Sequence, residues 1–477
     1  MSSSISKSMG RPLPSLEIID QPIDRLQGYE NSPRTHNRAQ YAKVSALIKK
    51  FGLLIPVVVD PNGELIDGYL RCKCAKDQGY QTVPTVIVRT NNPADIKALR
   101  LAFNRIPLDA GWDKQKLRDE LKYLIDVDYD LNLTGFDAPE IDAVIEIDTP
   151  SIGVVEDTDG IATPQGPAVS KIGDIIVCGR HRLICGDGLD RTTLSNLLAG
   201  APVRMVMTDP PYNIPIDGFV GGKGAIKHRE FPLASGEMSE DEFIAFLTGY
   251  FETVVTGLVD GALLYTWMDW RHVDALIAAG KATGLSLLNI CVWAKTAAGM
   301  GSLYRSQHEL CTVFKFGTAP HLNNVELGKH GRSRSNVWTA RGMAGWGRDR
   351  DELLALHPTV KPVRLLADAI LDASKRGDII LDSFLGSGST LVACEEIGRR
   401  CFGIELDPLY VDVAVCRWQN ATGKDAVFAE TGEIFNERSD RIRKAAATTA
   451  GTGGIETPTA TPIVSTCGPE LQGGCHD

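Results

Sequence analysis

Apolar and polar positions follow three successive patterns along this chain. Between Leu16 and Val88, short apolar runs flank a helical repeat in which Tyr41, Val44, Leu47 and Ile48 recur at three- and four-residue spacing, closed by Phe51-Gly52. Ile55 to Asp60 reads as a strand, Pro61-Asn62-Gly63 as a hairpin turn and Glu64 to Gly68 as its partner. A second helix carries Arg71 and Lys73, and Val83 to Val88 is the last strand of this part. From Asn92 to Ile147 the spacing is helical throughout, through Leu99 and Phe103, then Leu117, Leu121 and Leu124, then Ile141 and Val144, with Trp112 and Phe136 as packing anchors. From Lys171 onward strands alternate with helices or turns: Ile175 to Cys178, Arg182 to Asp187, Val203 to Thr208, Ala262 to Trp267, Leu287 to Trp293, Glu309 to Phe316, Asp378 to Asp382 and Phe402 to Glu405. This alternation predicts an α/β class, with a mainly parallel sheet covered by helices on both faces.

The boundaries follow from composition. Residues 1–14 are Ser-rich and expected to be disordered; 15–90 form a small α+β domain; 91–147 form a helical connector. Residues 148–170, rich in Thr, Pro, Gly and acids, read as a linker; 171–435 form the large domain; 436–477, rich in Ala, Thr and Gly, read as a disordered tail. A length of 477 residues accommodates these domains. The net charge of −10 excludes a uniformly basic nucleic-acid coat, so any nucleic-acid contact must be confined to a local patch. Eleven cysteines without a paired CxxC spacing, and no apolar signal segment or membrane-length run, point to a reduced, cytoplasmic protein without a metal site.

Candidate chemistry gathers at two strand ends. Asp209-Pro210-Pro211-Tyr212 follows Val203 to Thr208, and the two prolines must end that strand because neither can donate to a ladder. The carboxylate therefore stands at the carboxyl end of a strand, where ligands bind in open α/β sheets. An exocyclic amine is a poor nucleophile because its lone pair is delocalised into the ring. Asp209 and the Pro210 carbonyl supply acceptors for its N–H groups, and Tyr212 supplies a face on which a base can stack. A plain proline turn is the alternative. The second strand end is Asp382, followed by Ser383-Phe384-Leu385-Gly386-Ser387-Gly388 and a helix; Glu405 ends the next strand seventeen residues past Gly388. Glycines admit close backbone approach and the acid can accept both hydroxyls of a ribose, which suits a nucleoside cofactor. Gly218, Gly221, Gly222 and Gly224 lie in a stretch long enough to act as a lid. Residues 321–356 hold Lys329, Arg332, Arg334, Arg341, Arg348 and Arg350 among Gly, Ser and Asn, as expected of a segment contacting phosphates and base edges; a charged solvated loop is the alternative. Trp338 and Trp346 could stack on bases or anchor that segment.

Taken together, residues 171 to about 423 resemble an S-adenosylmethionine-dependent DNA amino-methyltransferase of the permuted β group, in which the catalytic tetrapeptide precedes the cofactor loop. The likeness includes His357-Pro358-Thr359-Val360-Lys361-Pro362. It implies a Rossmann-like methyltransferase domain with S-adenosylmethionine as cofactor. Asp382, Phe384, Gly386 and Gly388 would line its methionine side, Glu405 its ribose and Asp187 its adenine, with Lys361 also beside it. Asp209, Pro210, Pro211 and Tyr212 would be catalytic, without a metal or a covalent intermediate. An Asp in the first tetrapeptide position favours adenine N6 in double-stranded DNA. The alternatives are cytosine N4, or a DNA-binding switch whose methyltransferase half is degenerate. The N-terminal domain resembles the ParB/sulfiredoxin fold through Asn31-Ser32-Pro33-Arg34, the Ile55 to Asp60 strand and Gly68-x-x-Arg71. That likeness implies a nucleotide or phosphate contact at Gly68, Arg71, Lys73 and Arg34, unless Arg71 pairs with a nearby acid. It allows a homodimer, and a prophage or restriction-modification setting would suit the whole architecture.

Overall fold

The computed structural model describes residues 16–146, 167–214, 236–296, 298, 303–325, 334–340 and 361–451. They belong to two compact units, one running to residue 152 with 324–334, the other made of 153–323 and 335–477.

The first unit opens with β1 (Ile18–Pro22), α1 (Arg38–Phe51), β2 (Val57–Val59), β3 (Leu65–Asp67), α2 (Tyr69–Asp77) and β4 (Thr82–Ile87). The sheet order is β1-β4-β2-β3, in which β2 and β4 are parallel and the outer pairs antiparallel. The expected hairpin is made by Asp60, whose Oδ1 accepts from the N–H groups of Asn62 (2.9 Å) and Glu64 (2.7 Å), while Gly63 takes the left-handed conformation the turn needs. Asn37 caps α1 by accepting from Gln40 N–H, and Gly52 ends it. The next helix, α3 (Pro93–Arg105), belongs with this sheet rather than with a separate connector beginning at 91. Its buried Arg100 pairs with Glu64 at 2.7 Å, donates to Leu65 O at 3.3 Å and lies 3.6 Å from the centre of the Tyr29 ring. The expected boundary at 90 fails because this ion pair and stacking are tertiary, and α3's own helical spacing does not reveal them. Helices α4 (Lys114–Asp126) and α5 (Ala138–Glu146) then pack through Leu121, Ile141 and Ile145. Trp112 meets Phe136 edge-on at 5.2 Å, but it remains 69% exposed and is a weaker anchor than its size suggests.

The described residues of the second unit form one ten-stranded sheet and its helices. Its first members are β5 (Ile175–Cys178), β6 (His181–Cys185), α6 (Arg191–Leu198), β7 (Val203–Thr208), α7 (Glu240–Val254), β8 (Leu258–Met268) and α8 (Val273–Ala282). They are followed by β9 (Ser286–Lys295), β10 (His308–Lys315), β11 (Val337–Ala340), α9 (Val363–Ala373), β12 (Ile379–Asp382), α10 (Ser389–Glu396), β13 (Arg400–Glu405), α11 (Pro408–Thr422), β14 (Val427–Phe428) and α12 (Phe435–Gly451). The order is β11-β9-β10-β8-β7-β12-β13-β6-β5-β14. The centre, β8-β7-β12-β13-β6, is parallel as expected. The flanks are mixed, because β10 runs antiparallel to both neighbours and β5 is a hairpin partner of β6.

Alternation along the strands, shifted once by the irregularity between Val203 and Met205, sorts the core. Met205, Met207 and Ile380 face the layer of α9, α10 and α11, while Val203, Val206 and Leu381 face α6, α7 and α8. The tail expected to be disordered from 436 instead begins with helix α12. The Ala-rich composition behind that expectation is also helix-forming. Phe435 is buried against Phe428, and Arg438 pairs with Asp174 at 3.0 Å and Glu433 at 2.9 Å, so tertiary contacts hold the helix's first turn. Among the described residues no helix is long and apolar enough to cross a membrane.

Candidate active site

Strands β7 and β12 are parallel neighbours, with Met205 opposite Ile380 and Val206 opposite Leu381. The chain leaves β7 toward β8 and leaves β12 toward β13 on the other side, so a crevice opens between their carboxyl ends. Asp209-Pro210-Pro211-Tyr212 emerges from one strand and Ser383 to Ser387 from the other. Both line one cavity with Asp187, Phe246, Trp267, Lys361, Glu405 and Tyr410. The two loops are tied at their roots, where Thr208 Oγ1 donates to Asp382 Oδ1 at 2.8 Å.

The tetrapeptide end is a buried charge cluster. Tyr212 donates its hydroxyl to Asp209 Oδ1 at 2.5 Å, and Lys361 Nζ donates to Asp209 Oδ2 and to the Tyr212 hydroxyl at 3.2 Å. Lys361 also lies 3.1 Å from Glu309 Oε2, and Lys295 pairs with Glu309 Oε1. Burial alone would raise Glu309, but the two lysines outweigh it and take the carboxyl down to about 2. Burial opposes the charge on Lys361, yet Asp209 and Glu309 raise its pKa and keep it an ammonium. Burial pushes Asp209 up against the pull of Lys361, and burial together with Asp209 holds Tyr212 well above the ordinary phenol, so Tyr212 stays a hydrogen-bond donor.

The other end of the cavity suits a nucleoside. Gly388 adopts φ +83° at the start of α10, and a Cβ there would stand 2.8 Å from the Ala414 side chain. A Cβ on Gly188, next to Asp187, would meet Ser383 O at 2.6 Å. Glu405 ends β13 and accepts from Gly386 N–H at 2.8 Å and Asp407 N–H at 2.9 Å; burial raises its carboxyl to about 7. Asp382, also buried, is raised to about 6 and accepts from Phe384 N–H at 3.2 Å. Phe384 packs beneath Tyr250 and Phe246 at 5.2 and 6.3 Å. An open glycine turn, an acid at the adjacent strand end and an apolar wall are the parts a nucleoside with a charged tail requires.

Of the residues singled out by sequence, Asp187, Asp209, Pro210, Pro211, Tyr212, Lys361, Asp382, Phe384, Gly386 and Glu405 all border this cavity. Lys361 sits against the tetrapeptide carboxylate rather than solely beside the cofactor loop, because Glu309 draws it there. Glu309 and Lys295 escaped notice. Their signal was a carboxylate opening an otherwise apolar strand and a lysine ending its neighbour. Lys329, Arg332, Arg341, Arg348, Arg350 and Trp346 lie outside the described residues, as does the glycine stretch expected to form a lid; Arg334 alone of that basic set is described. Trp338 is an anchor. It is buried, donates to Ser335 O at 3.1 Å and stacks on Tyr265 at 6.5 Å. In the first unit Gly68 opens α2 with φ +95°, and Arg71 does pair with an acid, Asp67, at 2.9 Å. Lys73 lies 5.9 Å from the Tyr41 ring and Arg34 donates to Asn104 O at 3.1 Å.

Fold and cavity fit the class of S-adenosylmethionine-dependent methyltransferases, with Asp209 to Tyr212 beside the glycine turn of Ser383 to Ser387. Comparison with known proteins narrows it. A family profile described as DNA methylase matches residues 203–415, and another described as ParB-methyltransferase HTH domain matches residues 115–172. The chain is 24% identical over 278 residues to the Type II methyltransferase M.HpaI of Haemophilus parainfluenzae, covering 55% of this chain and 82% of that one. It is 24% identical over 255 residues to the Type II methyltransferase M2.MboI of Moraxella bovis, covering 51% and 86%. A solved structure of an M1.HpyAVI–SAM complex aligns with 18% identity over 49% of this chain and 98% of that one, at a TM-score of 0.35. Residues 203–415 thus match the DNA methylases, and residues 115–172, where helical spacing alone suggests a plain connector, match a ParB-methyltransferase helix-turn-helix domain.

Proposed function

We propose that this chain methylates the exocyclic N6 amine of adenine in double-stranded DNA at specific sites. The observation that carries this is the buried cluster of Asp209, Tyr212 and Lys361 opening into the same cavity as Phe384, Gly386 and Glu405. The target base is rotated out of the duplex and stacks on Tyr212. Its amine donates to Asp209 and to the Pro210 carbonyl, which directs the lone pair along the line of attack. Asp209 has unused lone pairs for this, since each carboxylate oxygen can accept twice. Lys361 holds the carboxylate in place. S-adenosylmethionine supplies a methyl group on a sulfonium. Asp382 and Glu405, with the Gly386 and Gly388 turn, would hold the donor, and Asp187 would lie toward its base.

Asp209→Ala tests the assignment. Cofactor affinity, read by calorimetry, is expected to survive, while labelled methyl incorporation into unmodified DNA collapses. N6-methyladenine should be the product in hydrolysates of wild-type reactions. Undiminished transfer by the variant, or N4-methylcytosine as product, would reject the reading.

Residues 321–356 are the proposed recognition segment. Removing Arg332 and Arg334 should weaken DNA binding and lower the slope of its salt dependence by about one for each phosphate left without its cation. A nucleotide phosphate is proposed at Gly68 and Arg71, where α2 begins, and binding there would have to draw Arg71 from Asp67. Nucleoside triphosphate titration of the chain against Arg71→Ala checks this.

A further inference from the structure

At the end of β8 the chain turns through Asp269, Trp270, Arg271 and His272 before α8. Strands β7 and β8 are parallel, with Thr208 opposite Thr266, so Asp209 and Asp269 leave the sheet at the same edge of the crevice. Asp269 acts as a bracket. Its Oδ1 accepts from Arg271 N–H (3.2 Å) and His272 N–H (3.1 Å) and contacts His272 Nδ1 (3.0 Å), and its Oδ2 accepts from Arg271 Nη1 (3.0 Å). The loop is therefore fixed, yet Trp270 is 52% exposed. The Arg271 guanidinium lies 4.7 Å from the centre of its ring. Strand β10 runs antiparallel to β8, with Leu310 opposite Met268, so the segment entering β10 reaches the same rim; its Leu303 and Tyr304 are each 85% exposed.

Single exposed apolar side chains need no explanation. Here a half-exposed tryptophan beside a guanidinium follows the strand that ends at the same sheet edge as Asp209, in a chain whose net charge is −10. An exposed indole held beside an arginine fits a polyanion carrying flat rings. Extruding a base leaves its neighbours unstacked, and an aromatic face with arginine behind it is what replaces the lost stacking. With Arg271 at 4.7 Å from its centre and half its surface exposed, the Trp270 ring offers area on which a base can stack.

We propose that Trp270, backed by Arg271, stacks on the duplex beside the extruded base and stabilises the flipped state. This rests on the methyl-transfer reading above but does not depend on which base is the target. Long-read sequencing of DNA from cells expressing the chain gives the methylated motif. A duplex carrying 2-aminopurine at the target position should brighten when wild-type protein and cofactor are added. Trp270→Ala is expected to lose most of that rise and to raise KM for duplex DNA about tenfold, with cofactor affinity unchanged. Trp270→Phe should keep most of both, and Arg271→Gln should fall between. An abasic site opposite the target, which removes the cost of unpairing, should restore much of the Trp270→Ala rate. Wild-type brightening and KM in Trp270→Ala would overturn the proposal. If Trp270→Ala no longer binds cofactor, the Phe and Gln variants decide: wild-type behaviour of Arg271→Gln together with loss in Trp270→Phe would overturn it. A wild-type chain that modifies a base other than adenine would reject the N6 reading alone.

Discussion

Lys361 Nζ stands 3.1 Å from Glu309 Oε2 while donating to Asp209, so one buried ammonium joins a carboxylate on β10 to the carboxylate at the end of β7. Lys295 closes the set, giving two cations for two carboxylates. Breaking one member of a buried pair leaves an uncompensated charge and costs about 3–5 kcal/mol. Glu309→Gln keeps the shape and removes the charge. Its melting temperature should fall and, with Lys361 drawn wholly onto Asp209, methyl transfer should fall by up to on the order of a hundredfold while cofactor affinity holds. Because the folded Glu309 carboxyl lies at about 2, below its usual 4.5, its contribution to stability is present above pH 4.5 and lost as pH falls through about 2. Acid melting curves of wild type and Glu309→Gln should therefore converge in that window.

Glu405 carries the opposite sign. Burial raises it from 4.5 to about 7, so the folded protein holds this proton more tightly than the unfolded chain does. Stability from this group is full below pH 4.5 and is lost between 4.5 and about 7, a change of about 3 kcal/mol. An ionised carboxylate accepts two hydroxyls better than a protonated one. Cofactor affinity should thus rise as pH passes through about 7, and Glu405→Gln should flatten that dependence in calorimetric titrations between pH 6 and 8.

Gly188 gives a steric test of the cofactor end. Its backbone needs no left-handed conformation, but an added methyl would meet the Ser383 carbonyl at 2.6 Å and push the β6 loop off the glycine turn. Gly188→Ala should weaken S-adenosylmethionine by about 1–3 kcal/mol, the usual cost of overpacking, with little change in kcat once the cofactor is saturating. A weakened cofactor with an equally depressed saturated rate would place the damage at the tetrapeptide instead.

The strand ends were legible because they are local. Two prolines after an apolar run must stop it, and glycines between a strand and a helix must turn it, so Asp209 and the Gly386 turn could be placed before any contact was known. The sheet's flanks were not legible. Nothing in Leu287 to Trp293 or Glu309 to Phe316 distinguishes a parallel from an antiparallel strand, because a short apolar run suits either. The salt-bridge partners Glu309 and Lys295 were hidden for a related reason: they are set by register across β9 and β10, where Glu309 faces Trp293, and register is a tertiary property. Over residues 115–172, which match the helix-turn-helix profile, the sequence shows only helical spacing, which fits any small bundle.

Helix α12 shows how composition can mislead and offers a last test. Its later residues are Ala- and Thr-rich, but the first turn is fastened. Phe435 is 1% exposed and stacks on Phe428 at 5.9 Å, and Arg438 lies 3.3 Å from the centre of the same Phe428 ring while pairing with Asp174. Strand β14, which ends the sheet at Phe428, pairs with β5, which in turn pairs with β6, the strand that delivers Asp187. Phe435→Ala removes a fully buried ring and should cost about 3–5 kcal/mol of stability. The loss should appear as a lower urea midpoint with a similar slope, because the same core unfolds. Deleting the chain after residue 445 should leave the midpoint near that of wild type, since Phe435, Arg438 and Arg441, which also pairs with Glu433, are all kept. Equal midpoints for Phe435→Ala and wild type would mean that the first turn of α12 does not brace the sheet edge.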